Sequence, residues 1–193
     1  MRLSASPAGF VLAAALAAPA AAQIGVYTAP LLPEPSVTSP GHGFATVTID
    51  TTLMTMRVEA TFADLVGTTT IGHIHCCTAT PFTGTVAPAT QLPSFEDFPT
   101  GVTAGSYDHT FDMTLASSWN PAFVTAQGGI ANAFTAFVDG LNDGRAYLNI
   151  HTSAFGSGEI RGFPTLIPEP QTYALMLAGL AAVAWSAKRR RSV

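Results

Sequence analysis

MTMRVEATF, residues 54–62, decides the fold class. Met54, Met56, Val58, Ala60 and Phe62 alternate with Thr55, Arg57, Glu59 and Thr61. Period two over nine residues places every apolar side chain on one face of a half-buried strand. Just upstream, Ala45, Val47 and Ile49 of FATVTID repeat the pattern, and Thr51-Thr52 between the two runs predicts a hairpin. Downstream, IGHIHC (71–76), SYDHTFDMTL (106–115), RAYLNIHT (145–152) and GEIRGF (158–163) read as further strands. Residues 78–105 hold four prolines and no period, which predicts a long surface loop. Two short helices are expected. Asn120 caps the first, with Pro121 in its first turn and Gly128-Gly129 at its end. In the second, Phe134, Phe137, Val138 and Leu141 share one face, and Asn142-Asp143-Gly144 stops it. The expected fold is therefore mainly β: an antiparallel β-sandwich or Greek-key-like domain over residues 43–166. Residues 23–42, rich in Pro, Ser and Gly, read as a flexible arm.

Both ends carry an address. Arg2, the apolar run from Phe10 to Ala18 and Ala20-Ala21-Ala22 form the three parts of a signal peptide, residues 1–22, cut by signal peptidase. At the other end, Tyr173 to Ala187 carries no charge. As a helix these residues reach about 23 Å, against a bilayer core of about 30 Å. Lys188, Arg189, Arg190 and Arg191 follow, so a transmembrane helix over 173–187 would leave the basic tail in the cytoplasm and the domain outside. Pro168-Glu169-Pro170, the apolar span and the arginine cluster together resemble the PEP-CTERM sorting signal of Gram-negative bacteria, over residues 167–193. That resemblance implies an exosortase-type membrane enzyme as partner and a product at the cell surface, outside the cell or anchored with its domain on the periplasmic side. Exopolysaccharide or another envelope protein is a further candidate partner.

Between the two end segments the charge is one-sided. Arg57, Arg145 and Arg161 stand against eleven carboxylates in residues 23–167, a net of −8, whereas the whole chain carries −4. An acidic domain with three basic residues offers no patch for nucleic acid.

The chemistry-bearing residues cluster on the predicted strands. On IGHIHC and the residue after it, His73, His75 and Cys77 lie on one side and Ile74 on the other. On YLNIHT, Asn149 and His151 oppose Leu148 and Ile150. If the two strands are neighbours, His73, His75 and His151 project together, a donor set that suits copper or zinc, with Cys77 a further candidate ligand. The competing reading needs no cofactor. In it, Asn149, Thr152, Glu159 and Arg161 join the histidines in a hydrogen-bond network that sets strand register. Cys76 and Cys77 are the chain's only cysteines. Outside the cytoplasm they are open to three fates: a vicinal disulfide, bonds to a partner chain, or metal ligation.

GHIH at 72–75, then GRAYLNIHT at 144–152 and GEIRG at 158–162, resemble the CHRD domain, over residues 43–165. The resemblance implies an extracellular β-sandwich-like module and no established catalytic activity. No Gly-x-Ser-x-Gly turn or phosphate-binding glycine loop is present, so an enzyme is not expected. The expectation is an exported structural or adhesive protein of the envelope or extracellular matrix. The alternative is a metal-binding protein built on the HIH strand and His151.

Overall fold

The computed structural model describes residues 24–168, 176–181, 183 and 188. The signal peptide, and with it Glu169, Pro170 and Arg189 to Arg191 of the sorting segment, lie outside the described residues. Of the apolar span 173–187, residues 176–181 and 183 are described and helical. Among the described residues no helix is long and apolar enough to cross a membrane.

Eight strands follow in chain order: β1 (Ile24–Pro33), β2 (His42–Asp50), β3 (Thr55–Ala63), β4 (Thr69–His75), β5 (Gly105–Asp112), β6 (Tyr147–Thr152), β7 (Ile160–Gly162) and β8 (Thr165–Leu166). Their order in space is β4-β6-β7-β1-β2-β3-β5, with β8 on β1, and each pairing is antiparallel. The expected sandwich is thus one curled antiparallel sheet. β1 passes from one half to the other: Ile24 to Leu31 pair with β2, and Leu32 and Pro33 pair with β7. One core draws on both halves, with Val47, Val58 and Phe62 from one and Ile74, Leu148, Ile150 and Ile160 from the other.

The expectation of a flexible arm over 23–42 is corrected. Residues 24–33 form the strand that joins the two halves. Tyr27, Ala29 and Leu31 point into the core, so the local pattern is strand-like despite Pro30 and Pro33. A proline lacks one ladder donor but keeps its carbonyl and its extended φ. Beyond the strand the chain stays tied, because Glu34 N–H donates to the Glu159 carbonyl at 3.0 Å.

The helices form where the caps place them. α1 (Pro121–Gln127) begins at Asn120, whose side chain accepts from Ala122 N–H, and closes at Gly128 with φ 78°. That is a left-handed position a glycine occupies without steric cost. α2 (Ile130–Asn142) buries Phe134, Phe137 and Leu141 against the core. Residues 78–104 are irregular, as expected, but they are fastened rather than superficial. Ala89, Thr90, Phe95 and Phe98 are buried, and Ala89 and Phe95 N–H donate to the carbonyls of Ile74 and Gly72 on β4.

Candidate metal centre

β4 and β6 are neighbours, and their register sets the site. His73 lies opposite Asn149, Ile71 opposite His151, and His75 opposite Tyr147. Residues directly opposite share a face, so all three histidines project from the side that Ile74 and Leu148 do not use. All three are buried.

Each ring is fastened in the same way. His73 Nδ1–H donates to the Pro93 carbonyl at 3.2 Å. His75 Nδ1–H donates to Val86 at 2.6 Å, and His151 Nδ1–H to Gly156 at 3.0 Å. A carbonyl only accepts, so the hydrogen sits on Nδ1 and each neutral ring keeps a lone pair on Nε2. Those lone pairs converge. His73 Nε2 and His151 Nε2 are 2.9 Å apart, and one ring nitrogen from each histidine lies within 4.8 Å of the others. His75 Nε2 is buried with no hydrogen-bond partner. No Asp, Glu or Cys of the described residues joins this group, and Cys77 stands apart from it.

Electrostatics keeps the rings neutral. Burial lowers the His73 pKa to about 3, helped by His75 and His151 and opposed by the Pro93 carbonyl. Burial likewise lowers His75 to about 4 and moves His151 down. Two facing lone pairs repel unless a cation lies between them. Neutral imidazoles whose far nitrogen donates to a backbone carbonyl are the state in which histidine binds copper or zinc.

Around the rings, Tyr147 stacks on His75 with centroids 4.5 Å apart and planes 3° from parallel. The Arg161 guanidinium lies 5.1 Å over Tyr147. Arg161 Nε donates to Glu34 Oε2 at 3.0 Å, and Asn149 Nδ2 donates to Glu34 Oε1 at 3.1 Å. Asn149 and Arg161 therefore share the histidine face. Glu159 and Thr152 do not: Thr152 Oγ1 donates to Glu159 Oε2 at 2.6 Å, and that carboxylate also accepts from Ser39 Oγ and from Val66 and Gly67 N–H. The residues read as one network form two, because Glu159 lies just before β7 and turns toward the segments 39–41 and 65–67.

Glu34 and the carbonyls of Val86, Pro93 and Gly156 carried no signal as site residues. A carbonyl belongs to every residue type, and Glu34 fell in the supposed arm. Cys76 and Cys77 form a disulfide with each other, joined by a cis peptide bond. An open cavity of about 680 Å³ lies beside them, bordered by α1, α2 and residues 86–88.

A family model described as the CHRD domain matches residues 23–163. The chain belongs to the CHRD domain family. The CHRD domain so bounded includes β1, in agreement with the sheet. A second model, the PEP-CTERM protein-sorting motif, matches residues 166–191. This CHRD protein is therefore exported to the Gram-negative envelope and sorted by an exosortase-type membrane enzyme. No curated protein and no solved structure matches the chain.

Proposed function

We propose that this exported CHRD domain holds one transition metal ion, copper or zinc, on the Nε2 atoms of His73, His75 and His151. One observation carries the reading. All three Nδ1–H groups are committed to backbone carbonyls, so three buried lone pairs face one another. The backbone carbonyls behind the rings fix the tautomer and aim the rings, as in metal-ligating histidines generally. Burial of the rings favours holding an ion over turning over a substrate. The experiment is metal analysis by native mass spectrometry of the exported protein, prepared without chelators or a histidine tag. One copper or zinc per chain is expected, lost in His73→Ala and in His151→Ala variants that keep their far-UV circular dichroism. A folded protein that takes up neither ion at micromolar concentration would refute the reading.

A structural or adhesive role in the envelope or extracellular matrix is the second reading, favoured by the sorting motif. Loss of surface matrix on deletion, undiminished by His73→Ala, would support that role without the metal.

A further inference from the structure

The disulfide and the metal centre meet at His75. Cys76 directly follows it, and Cys76 and Cys77 border the open cavity of about 680 Å³. Val86 and Pro88 border the same cavity. Val86 supplies the carbonyl that accepts from His75 Nδ1–H at 2.6 Å, and Pro88 pairs with His75 as an isolated bridge. One wall of the cavity therefore contains both the disulfide and the clamp on His75. Cys76 is buried, and Cys77 is half-buried against the cavity. Both sulfurs also press on Gly140 of α2, itself part of the cavity lining, where a Cβ would collide with each of them.

We propose that Cys76–Cys77 is a site of reduction by dithiols, and that opening it loosens His75 and weakens metal binding at the three-histidine centre. The second half rests on the metal-holding reading above.

The less buried cysteine sets the course of exchange. A thiolate of the dithiol enters by the cavity and attacks Cys77 Sγ. The S–S bond breaks, a mixed disulfide forms at Cys77, and the electron pair leaves on Cys76 Sγ, which takes the proton released by the attacking thiol. The reductant's second thiol then attacks its own sulfur in the mixed disulfide. Cys77 leaves as a thiol with that second proton, and the reductant departs as a cyclic disulfide. Two electrons and two protons have passed to the protein.

Two thiols need van der Waals separation where the disulfide had a bond. The backbone of α2 at Gly140 closes one direction, so the sulfurs part along the chain and into the cavity. That movement acts on residue 75 at the end of β4 and on the wall at 86–88. His73 is fastened two residues deeper by Pro93, and His151 is held on another strand by Gly156. Two ligands keep their hold while the third loses its hydrogen bond to the Val86 carbonyl, a loss that commonly costs about 10–100-fold in metal affinity.

The test uses the exported protein and zinc as the probe metal, because a dithiol leaves its valence unchanged. The protein is treated with dithiol, freed of it under argon, and titrated beside the untreated form, with the gain of two hydrogens read by mass spectrometry. Zinc affinity is expected to fall about tenfold or more on reduction and to recover on reoxidation. The double variant Cys76→Ser, Cys77→Ser is expected to bind as the reduced protein does and to ignore dithiol. If that variant does not fold, the comparison of reduced and oxidised wild type still decides. Equal affinity, tighter binding after reduction, or a disulfide that resists dithiol in the folded protein overturns the proposal. Zinc binding in neither state overturns the coupling, a parallel failure to bind copper overturns the metal reading with it, and thiol release measured in the same sample then judges the reduction alone.

Discussion

Arg161 and Glu34 form a near-buried ion pair that ties β7 to the segment leaving β1, with side chains 10% and 11% exposed. The pair holds up the wall of the metal centre, because Arg161 lies over the Tyr147 ring that stacks on His75. Burial pushes the Glu34 pKa up, and Arg161 and Asn149 draw it part of the way back. Removing the carboxylate leaves a guanidinium with little water and no counter-charge. Glu34→Ala is expected to cost about 2–4 kcal/mol in urea unfolding, and the Glu34→Gln, Arg161→Met pair less than Glu34→Ala alone. A loss below about 0.5 kcal/mol for Glu34→Ala would show the pair to be solvated.

Glu159 is fully buried and accepts four hydrogen bonds, from Ser39 Oγ, Thr152 Oγ1, Val66 N–H and Gly67 N–H. Burial raises its pKa, but these bonds outweigh the burial, so the carboxyl is held below its usual range. Glu159→Ala leaves four donors short of an acceptor and is expected to destabilise by about 3 kcal/mol or more. Thr152→Val, which removes one donor to Glu159 and one of the two acceptors of Phe155 N–H, each partner keeping another bond, is expected to cost about 1 kcal/mol. Chemical denaturation of the two variants side by side checks the ranking.

Acid should weaken the metal-free protein through the histidines. Their pKa values are depressed from 6.5, to about 3 for His73 and about 4 for His75. Below pH 6.5 the unfolded chain binds more protons at these rings than the native one, so stability falls as pH falls. The contribution is complete above pH 6.5 and is lost progressively toward pH 3. Wild type minus His73→Phe, followed by Tm from pH 8 to pH 4, isolates the ring. The difference is expected to be flat above pH 7 and to shrink below pH 6.5. A difference that grows in acid would reverse the assignment.

Deleting residues 24–33 tests the place of β1. A flexible arm could be removed without harm. A strand between β7 and β2 cannot, since its loss bares the ladder donors and acceptors of both neighbours and takes the buried Tyr27, Ala29 and Leu31 out of the core. The truncated domain is expected to lose its cooperative thermal transition, whereas a domain that begins at residue 24 is expected to keep it.

Gly162 marks how closely β7 approaches β1. A Cβ there would collide with the Pro30 carbonyl, which is backbone and has no rotamer to yield. Gly162→Ala is expected to destabilise by about 1–3 kcal/mol. A neutral result by thermal melting would mean that the strands can part.

The amino-acid sequence by itself determined six of the eight strands, all but β1 and β8, the hairpin of β2 and β3, the first helix from its caps and the second from its apolar period. It also determined that His73 and His75 share a face with each other and not with Ile74. These are local matters, since side-chain alternation and capping act within a few residues. Tertiary structure alone decided the rest. It placed β1 at the centre, brought His151 within reach of His73, and divided Glu159 from Arg161 into separate networks. It also chose the carbonyls of Val86, Pro93 and Gly156 to aim the rings. Strand order and register arise from pairing over distances of a hundred residues or more, as between β1 and β7. A carbonyl that fixes a histidine tautomer is common to every residue, so its position in space is what makes it part of a site.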